Sequence, residues 1–101
     1  MFDMKNLNGL KNLGENAPDA VKAFRAFDQA VFAEGALTVQ QKQLIAIAVA
    51  LTTQCPYCIE LHRQAAHRAG ASNAQLAEAA MVSAAIRAGG AVTHSTHLFV
   101  G

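Results

Sequence analysis

The two cysteines of the chain stand three residues apart, in Cys55-Pro56-Tyr57-Cys58, and His62 follows four residues after the second. A three-residue separation at the start of a helix lets two sulfurs approach within bonding distance. The N–H groups at a helix N-terminus lack intrahelical partners and carry partial positive charge. They favour the thiolate, the nucleophilic form of cysteine, and so lower its pKa. Pro56 suits a first helical turn, where its missing N–H is not needed. That places Cys55 at the N-cap end and Cys58 within the first turn. His62 lies one turn after Cys58, on the same helix face, where an imidazole can take a thiol proton or steady a thiolate. The chemistry these residues predict is a reversible dithiol–disulfide cycle, with Cys58, Cys55 and His62 as the catalytic set.

Two other readings of the same residues stand beside it. Free cysteines also pack as small hydrophobes. Cys-x2-Cys-x3-His also supplies three zinc ligands, with His94 or His97 as a fourth. There is no second Cys-x2-Cys pair, and ligands on one helix face do not readily surround an ion tetrahedrally. The expectation is therefore no metal and no cofactor. Tyr57 is placed to cover the sulfurs or shape access to them. Glu60 points away from the Cys58–His62 face and reads as a solvated charge, and His67 reads as solvent-facing. His94 and His97, three apart near the end of the chain, are either interface or capping residues or a second functional pair.

The elements that must hold these residues read as helices throughout. Phe2, Leu7, Leu10 and Leu13 make one short apolar stripe in an otherwise irregular arm, residues 1–16. Asn16 offers an N-cap and Pro18 a first turn. Val21, Phe24, Phe27, Val31 and Phe32 then follow at helical spacing, up to a stop at Gly35. Thr38-Val39-Gln40-Gln41 has the form of a capping box. It leads into Leu44–Leu51, an unbroken apolar run predicted to be a helix surrounded on all sides. A helix from Pro56 closes at Gly70. Ser72-Asn73-Ala74-Gln75 repeats the capping-box form ahead of a fourth helix through Leu76, Ala79, Ala80, Val82, Ala84 and Ile86. Gly89-Gly90 interrupts it, and Ala91–Val100 forms a final short helix bearing His94 and His97. The predicted fold class is all-α: one domain over 1–101, a bundle of about five helices with the cysteine pair at a helix N-terminus.

The bulk properties narrow the function classes. A length of 101 residues suits one domain. With 52% apolar and 15% charged residues the chain is globular rather than disordered. The net charge is +1 and the basic residues are scattered, so no phosphate-tracking surface is expected and nucleic acid is excluded as a partner. No apolar run reaches the roughly 20 residues needed to cross a membrane. The first residues lack the apolar core of an export signal. The expected compartment is the cytoplasm, where a cysteine pair is more often redox-active than a structural staple. The Ala-rich chain also carries more apolar residues than a monomer of this size hides, which predicts a homo-oligomer.

The stretch from Thr38 to about His97 resembles the alkylhydroperoxidase AhpD-like proteins of the carboxymuconolactone decarboxylase superfamily. The apolar helix Leu44–Leu51, Cys55-x-x-Cys58-x-x-x-His62, the stop at Gly70, the capped Ala-rich helix and Gly89-Gly90 carry the resemblance. It implies that Cys58 attacks the peroxide through a sulfenic acid and that Cys55 resolves it to a disulfide. The physical arguments divide here, since the helix end favours Cys55 as the more acidic thiol and His62 favours Cys58. Two positions depart from the family pattern. Gln43 stands twelve residues before the first cysteine, where a glutamate serves a proton relay, and an amide cannot accept and release a proton near neutral pH. Tyr57 stands where histidine is common. A relay here would use His62, or His94 or His97 brought over the cysteines, with Gln43 as a hydrogen-bonding spacer. The resemblance implies a thiol-dependent peroxidase-like oxidoreductase that reduces small or organic hydroperoxides, restored by a dithiol donor. It also implies a hexamer, with a trimer as the alternative. The competing functions are a thiol–disulfide reductase or redox sensor, a decarboxylase-like enzyme of unknown substrate, and a non-catalytic assembly module.

Overall fold

The computed structural model describes residues 2–100 and forms five α-helices, with no strand among the described residues. The chain divides into two compact units, one running to Val39 and one from Gln40.

The first unit opens with a 3-10 helix, Met4–Gly9, started by the Asp3 carboxylate, which accepts the Lys5 N–H at 2.9 Å. Helix α1 (Leu10–Asn16) follows directly, so the segment expected to be irregular is helical almost throughout. Helix α2 spans Pro18–Phe32 with Pro18 in its first turn. Its N-cap is Ala17, with no side-chain cap, because Asn16 turns back to donate to the Asn12 carbonyl at 2.8 Å. It ends before Gly35, since Ala33 already adopts an extended backbone.

The second unit holds α3 (Val39–Thr53) from its second residue on, α4 (Pro56–Arg68), α5 (Asn73–His94) and a 3-10 turn, Ser95–Phe99. Side-chain hydrogen bonds fix its register. Gln75 Nε2 donates to Gln40 Oε1 at 2.9 Å, Ser83 Oγ to the Ala48 carbonyl at 2.9 Å, and Arg87 Nη1 to the Thr52 carbonyl at 2.9 Å. All three pairs are 35 residues apart, so α3 and α5 run side by side in the same direction. Helix α4 returns antiparallel to α3. Gln40 Nε2 reaches the Ala69 carbonyl at one end (3.0 Å), and Cys55 N–H reaches the Ala50 carbonyl at the other (3.3 Å).

The core of this unit is Ile47, Ala66 and Ala71, with Leu44, Leu51 and Leu76 packed against it. Ala66 is wholly buried, and its small side chain lets the helices approach closely. Helix α4 closes as its sequence predicts. Gly70 has φ +88°, its N–H bonds to the His67 carbonyl (3.0 Å), and the Ala71 N–H bonds to the Ala66 carbonyl (2.9 Å). This is a Schellman motif, with Ala71 and Ala66 as its apolar contact. The Ser72 capping box is complete, the Ser72 N–H donating to Gln75 Oε1 and the Gln75 N–H to Ser72 Oγ.

Two expectations are corrected. Helix α3 is not surrounded: Ile45 and Val49, four residues apart on one stripe, are 50% and 54% exposed. Helices α4 and α5 cover two of its sides and leave this one open within the chain. Gly89-Gly90 does not interrupt α5, which continues to His94. Each glycine costs a helix about 1 kcal/mol relative to alanine, less than the several backbone bonds a break would forfeit. Among the described residues, no helix is long and apolar enough to cross a membrane.

Candidate functional site

The site is assembled at the join between α3 and α4. Gln54 takes the left-handed conformation, φ 57°, in the position that follows a helix C-cap. This reverses the chain and sends the Cys55 N–H back to the Ala50 carbonyl. Cys55 then adopts an extended backbone (φ −93°, ψ 102°) and becomes the N-cap of α4, with Pro56 in the first turn. Its sulfur accepts the N–H of Cys58 at 3.3 Å. The two sulfurs share a hydrogen bond at 2.6 Å, and both residues are half-buried free thiols.

These contacts split the two acidities. The pKa of Cys55 is lowered, first by the hydrogen bond from the Cys58 thiol and then by the Cys58 N–H, with a smaller contribution from the Tyr57 N–H. The Cys58 thiol is raised, because ionising it would break its bond to Cys55, and because burial and the Cys55 charge oppose a second anion. A pair this close titrates in two steps that belong to the pair. The Cys58 N–H points at Cys55 Sγ, which favours negative charge on that sulfur.

His62 Nδ1 lies 2.7 Å from Gln43 Oε1. An amide oxygen only accepts, so Nδ1 carries the hydrogen of this bond. Gln43 is buried, at 8% exposure, so the ring is held from the core side by a group that does not titrate. His62 projects from α4 one turn after Cys58 and shares its face.

Glu60, His94 and His97 have partners of their own. Glu60 is paired with Arg63 and also accepts from Gln64 at 3.0 Å. The Arg63 hydrogen bond holds its carboxyl at about 2, a surface ion pair away from the sulfurs. His67 is exposed and Tyr57 half-buried. His94 ends α5 and His97 lies in the following 3-10 turn. Both are exposed, and their rings stack on each other at 5.5 Å. The structure thus joins Cys55 to Cys58 and Gln43 to His62, and pairs His94 with His97. Among the described residues, no three His, Cys, Asp or Glu side chains gather as a metal-binding group. Sequence reasoning missed Gln54, whose left-handed turn aims the N-cap; nothing in a glutamine announces that role.

This is an all-helical unit presenting a dithiol at a helix N-terminus. The model of the carboxymuconolactone decarboxylase family matches residues 18–100, and the chain belongs to that family. It is 55% identical over 73 residues, 72% of its length, to uncharacterized protein 4 in the cox locus of Paracoccus denitrificans. It is 38% identical over 66 residues, 65% of its length, to an uncharacterized protein of Cupriavidus necator. The matched stretches span 66% and 58% of those relatives, under two thirds of either. Among solved structures, a protein from Methanobacterium thermoautotrophicum superposes with a TM-score of 0.81 at 38% identity, covering 85% of this chain and 97% of that one. A carboxymuconolactone decarboxylase family protein from Legionella pneumophila, solved in its apo form, superposes with a TM-score of 0.78 at 29% identity, covering 81% and 73%.

Proposed function

We propose that the chain is a thiol-dependent, alkylhydroperoxidase-like oxidoreductase that reduces small or organic hydroperoxides through a Cys55/Cys58 cycle. The observation that carries this reading is the pair of free sulfurs 2.6 Å apart, one of them capping a helix N-terminus. In the cycle a thiolate attacks the distal oxygen of ROOH, the O–O bond breaks, and the departing alkoxide takes a proton to leave as ROH. The sulfur is oxidised to a sulfenic acid. The second thiol attacks that sulfur, a disulfide forms and water leaves. A dithiol donor then reduces the disulfide and is itself oxidised to one. His62 supplies the base, and Gln43 fixes its tautomer. The cytoplasm, where thiols are kept reduced, is the compartment in which this cycle runs. The exposed Ile45 and Val49 stripe supports a homo-oligomer, and the family resemblance favours a hexamer over a trimer.

The test is hydroperoxide consumption with a dithiol donor in the native protein, Cys55→Ser and Cys58→Ser. Turnover in the native protein alone supports the cycle; equal rates in all three remove it. A second reading, a thiol–disulfide reductase or redox sensor without peroxidase turnover, is favoured by one observation: Gln43, the residue behind His62, cannot carry a proton onward. Rapid exchange with a small disulfide, without peroxide turnover, would select it.

A further inference from the structure

We propose that the groove between α1 and α2 binds an anionic amphiphile, a medium-chain carboxylate whose tail lies along the groove and whose head meets Lys22 and Arg25. The site lies wholly within the first unit and is independent of the peroxidase reading.

Two facing stripes build it. On α1, Leu10 and Gly14 are one turn apart and share a face, and on α2 Pro18, Val21, Lys22 and Arg25 do the same. Only Ala17 joins the two helices, and they pack against each other. The cavity between them has a volume of about 640 Å³, inside the roughly 300–1,000 Å³ range of small-molecule sites. Gly14 keeps it open. A Cβ added there would meet nothing nearer than Val21 Cγ1 at 3.9 Å, an ordinary contact, so the space beside Gly14 is room for a ligand rather than a close helix crossing.

The lining divides by chemistry. Leu10, Pro18, Val21 and Ala26 give it an apolar wall. Leu10 is still 50% exposed, so a hydrocarbon tail laid on that wall removes apolar surface from water. The charges do not cancel. Lys11 reaches Glu15 one turn on, at 4.0 Å, which occupies the carboxylate that lines the groove. Lys22 and Arg25, three apart on α2, line it with no ion-pair partner among the described residues. A plain hydrocarbon would leave those two cations unanswered, and a compact polyanion would leave the apolar wall wet. An aliphatic carboxylate answers both. The exposed Phe24 and Phe27 belong to another face of α2 and do not line the groove, which separates this site from adsorption to that apolar stripe.

The test is calorimetric titration of the full chain with dodecanoate below its micelle-forming concentration, beside octanoate and the cationic dodecyltrimethylammonium. Dodecanoate should bind saturably, one per chain, and more weakly as salt rises. Octanoate should bind at least about tenfold more weakly, since about half the burial of four methylenes is lost. The cationic amphiphile should not saturate. Lys22→Gln with Arg25→Gln should weaken dodecanoate about three- to tenfold, the scale of two solvent-exposed ion pairs. Gly14→Leu puts a helix-favouring side chain into the groove. It should cut dodecanoate binding at least about tenfold without lowering Tm, whereas Phe27→Ala should leave binding unchanged. Undiminished binding in Gly14→Leu overturns the proposal, as does equal binding of the cationic amphiphile or no saturable binding of dodecanoate. A loss in Phe27→Ala matching that in Gly14→Leu overturns it in favour of the apolar stripe. A fall in molar mass of Gly14→Leu by light scattering overturns it in favour of a contact between copies of the chain.

Discussion

Replacing Gln43 by methionine keeps the side chain's length and removes the acceptor for His62 Nδ1. The bond is 2.7 Å long and Gln43 is 8% exposed, so water does not easily take its place on the amide side. An intramolecular hydrogen bond contributes about 0.5–1.5 kcal/mol net, whereas a buried donor left without a partner costs about 1–3 kcal/mol. His62 is only half-buried, and solvent can reach part of the ring, which places Gln43→Met near 1–2 kcal/mol of destabilisation on that scale. In a domain this small, each kcal/mol moves Tm by about 4–8 °C. The clean measurement is a double-mutant cycle of Gln43→Met and His62→Leu by urea unfolding of the reduced protein. It is run at fixed protomer concentration so that assembly does not contribute. The coupling should be about 1 kcal/mol with an unchanged m value. Strict additivity within about 0.3 kcal/mol would refute the claim that this bond holds the ring. The kinetic companion is His62→Ala, which should slow the dithiol cycle; an unchanged rate would mean His62 is not its base.

The first thiolate, followed by absorbance near 240 nm, should appear below the ordinary cysteine range in the native protein and Cys58→Ser, and not in Cys55→Ser. Because the folded value of Cys55 is lowered, its contribution to stability is present above the ordinary thiol range and fades as pH falls through the lowered value; Cys55→Ser should abolish that pH dependence. Gln54→Val places a β-branched residue at φ 57° and should cost about 1–2 kcal/mol and slow thiol reactivity, whereas Gln54→Gly should do neither; equal melting curves for both would show the turn is not strained. Gly70→Ala, at φ +88°, should cost about 1 kcal/mol in thermal unfolding with the cysteine chemistry intact. Light scattering at micromolar concentration should find an oligomer that Ile45→Asp or Val49→Asp weakens, and a native monomer would rule out the oligomer.

Features set by neighbouring residues were legible in the sequence. Pro56 opens α4, Gly70 closes it, and Ser72 with Gln75 caps α5, each because a short-range bond or a fixed dihedral belongs to that residue type. Features set by what lies across the fold were not. An unbroken apolar run in α3 shows that the helix meets apolar surroundings, but not whether they belong to the same chain, and so the open Ile45–Val49 side escaped notice. Gly89-Gly90 looked like a stop because isolated glycine disfavours helix, yet in a 22-residue helix the local cost is outweighed. The Asn16 cap failed because a rival acceptor, the Asn12 carbonyl, lay one turn back.

The site shows the same division. The cysteine spacing located the chemistry, but the acidity of each sulfur depends on an N–H direction that Gln54 sets. That turn is itself held by partners distant in sequence. The last carbonyls of α3 must be satisfied where the helix ends. The Cys55 N–H takes that of Ala50, and Arg87 from α5 takes that of Thr52. Ser83, buried one turn earlier on α5, bonds the Ala48 carbonyl. The end of α3 is thereby pinned from the α5 side while its final turn delivers Cys55 to the head of α4. A dithiol on a loop would need ordering each time the disulfide opened. Here both sulfurs sit on backbone whose polar groups are already paired, so the scaffold stays in place whether the S–S bond of the proposed cycle is made or broken.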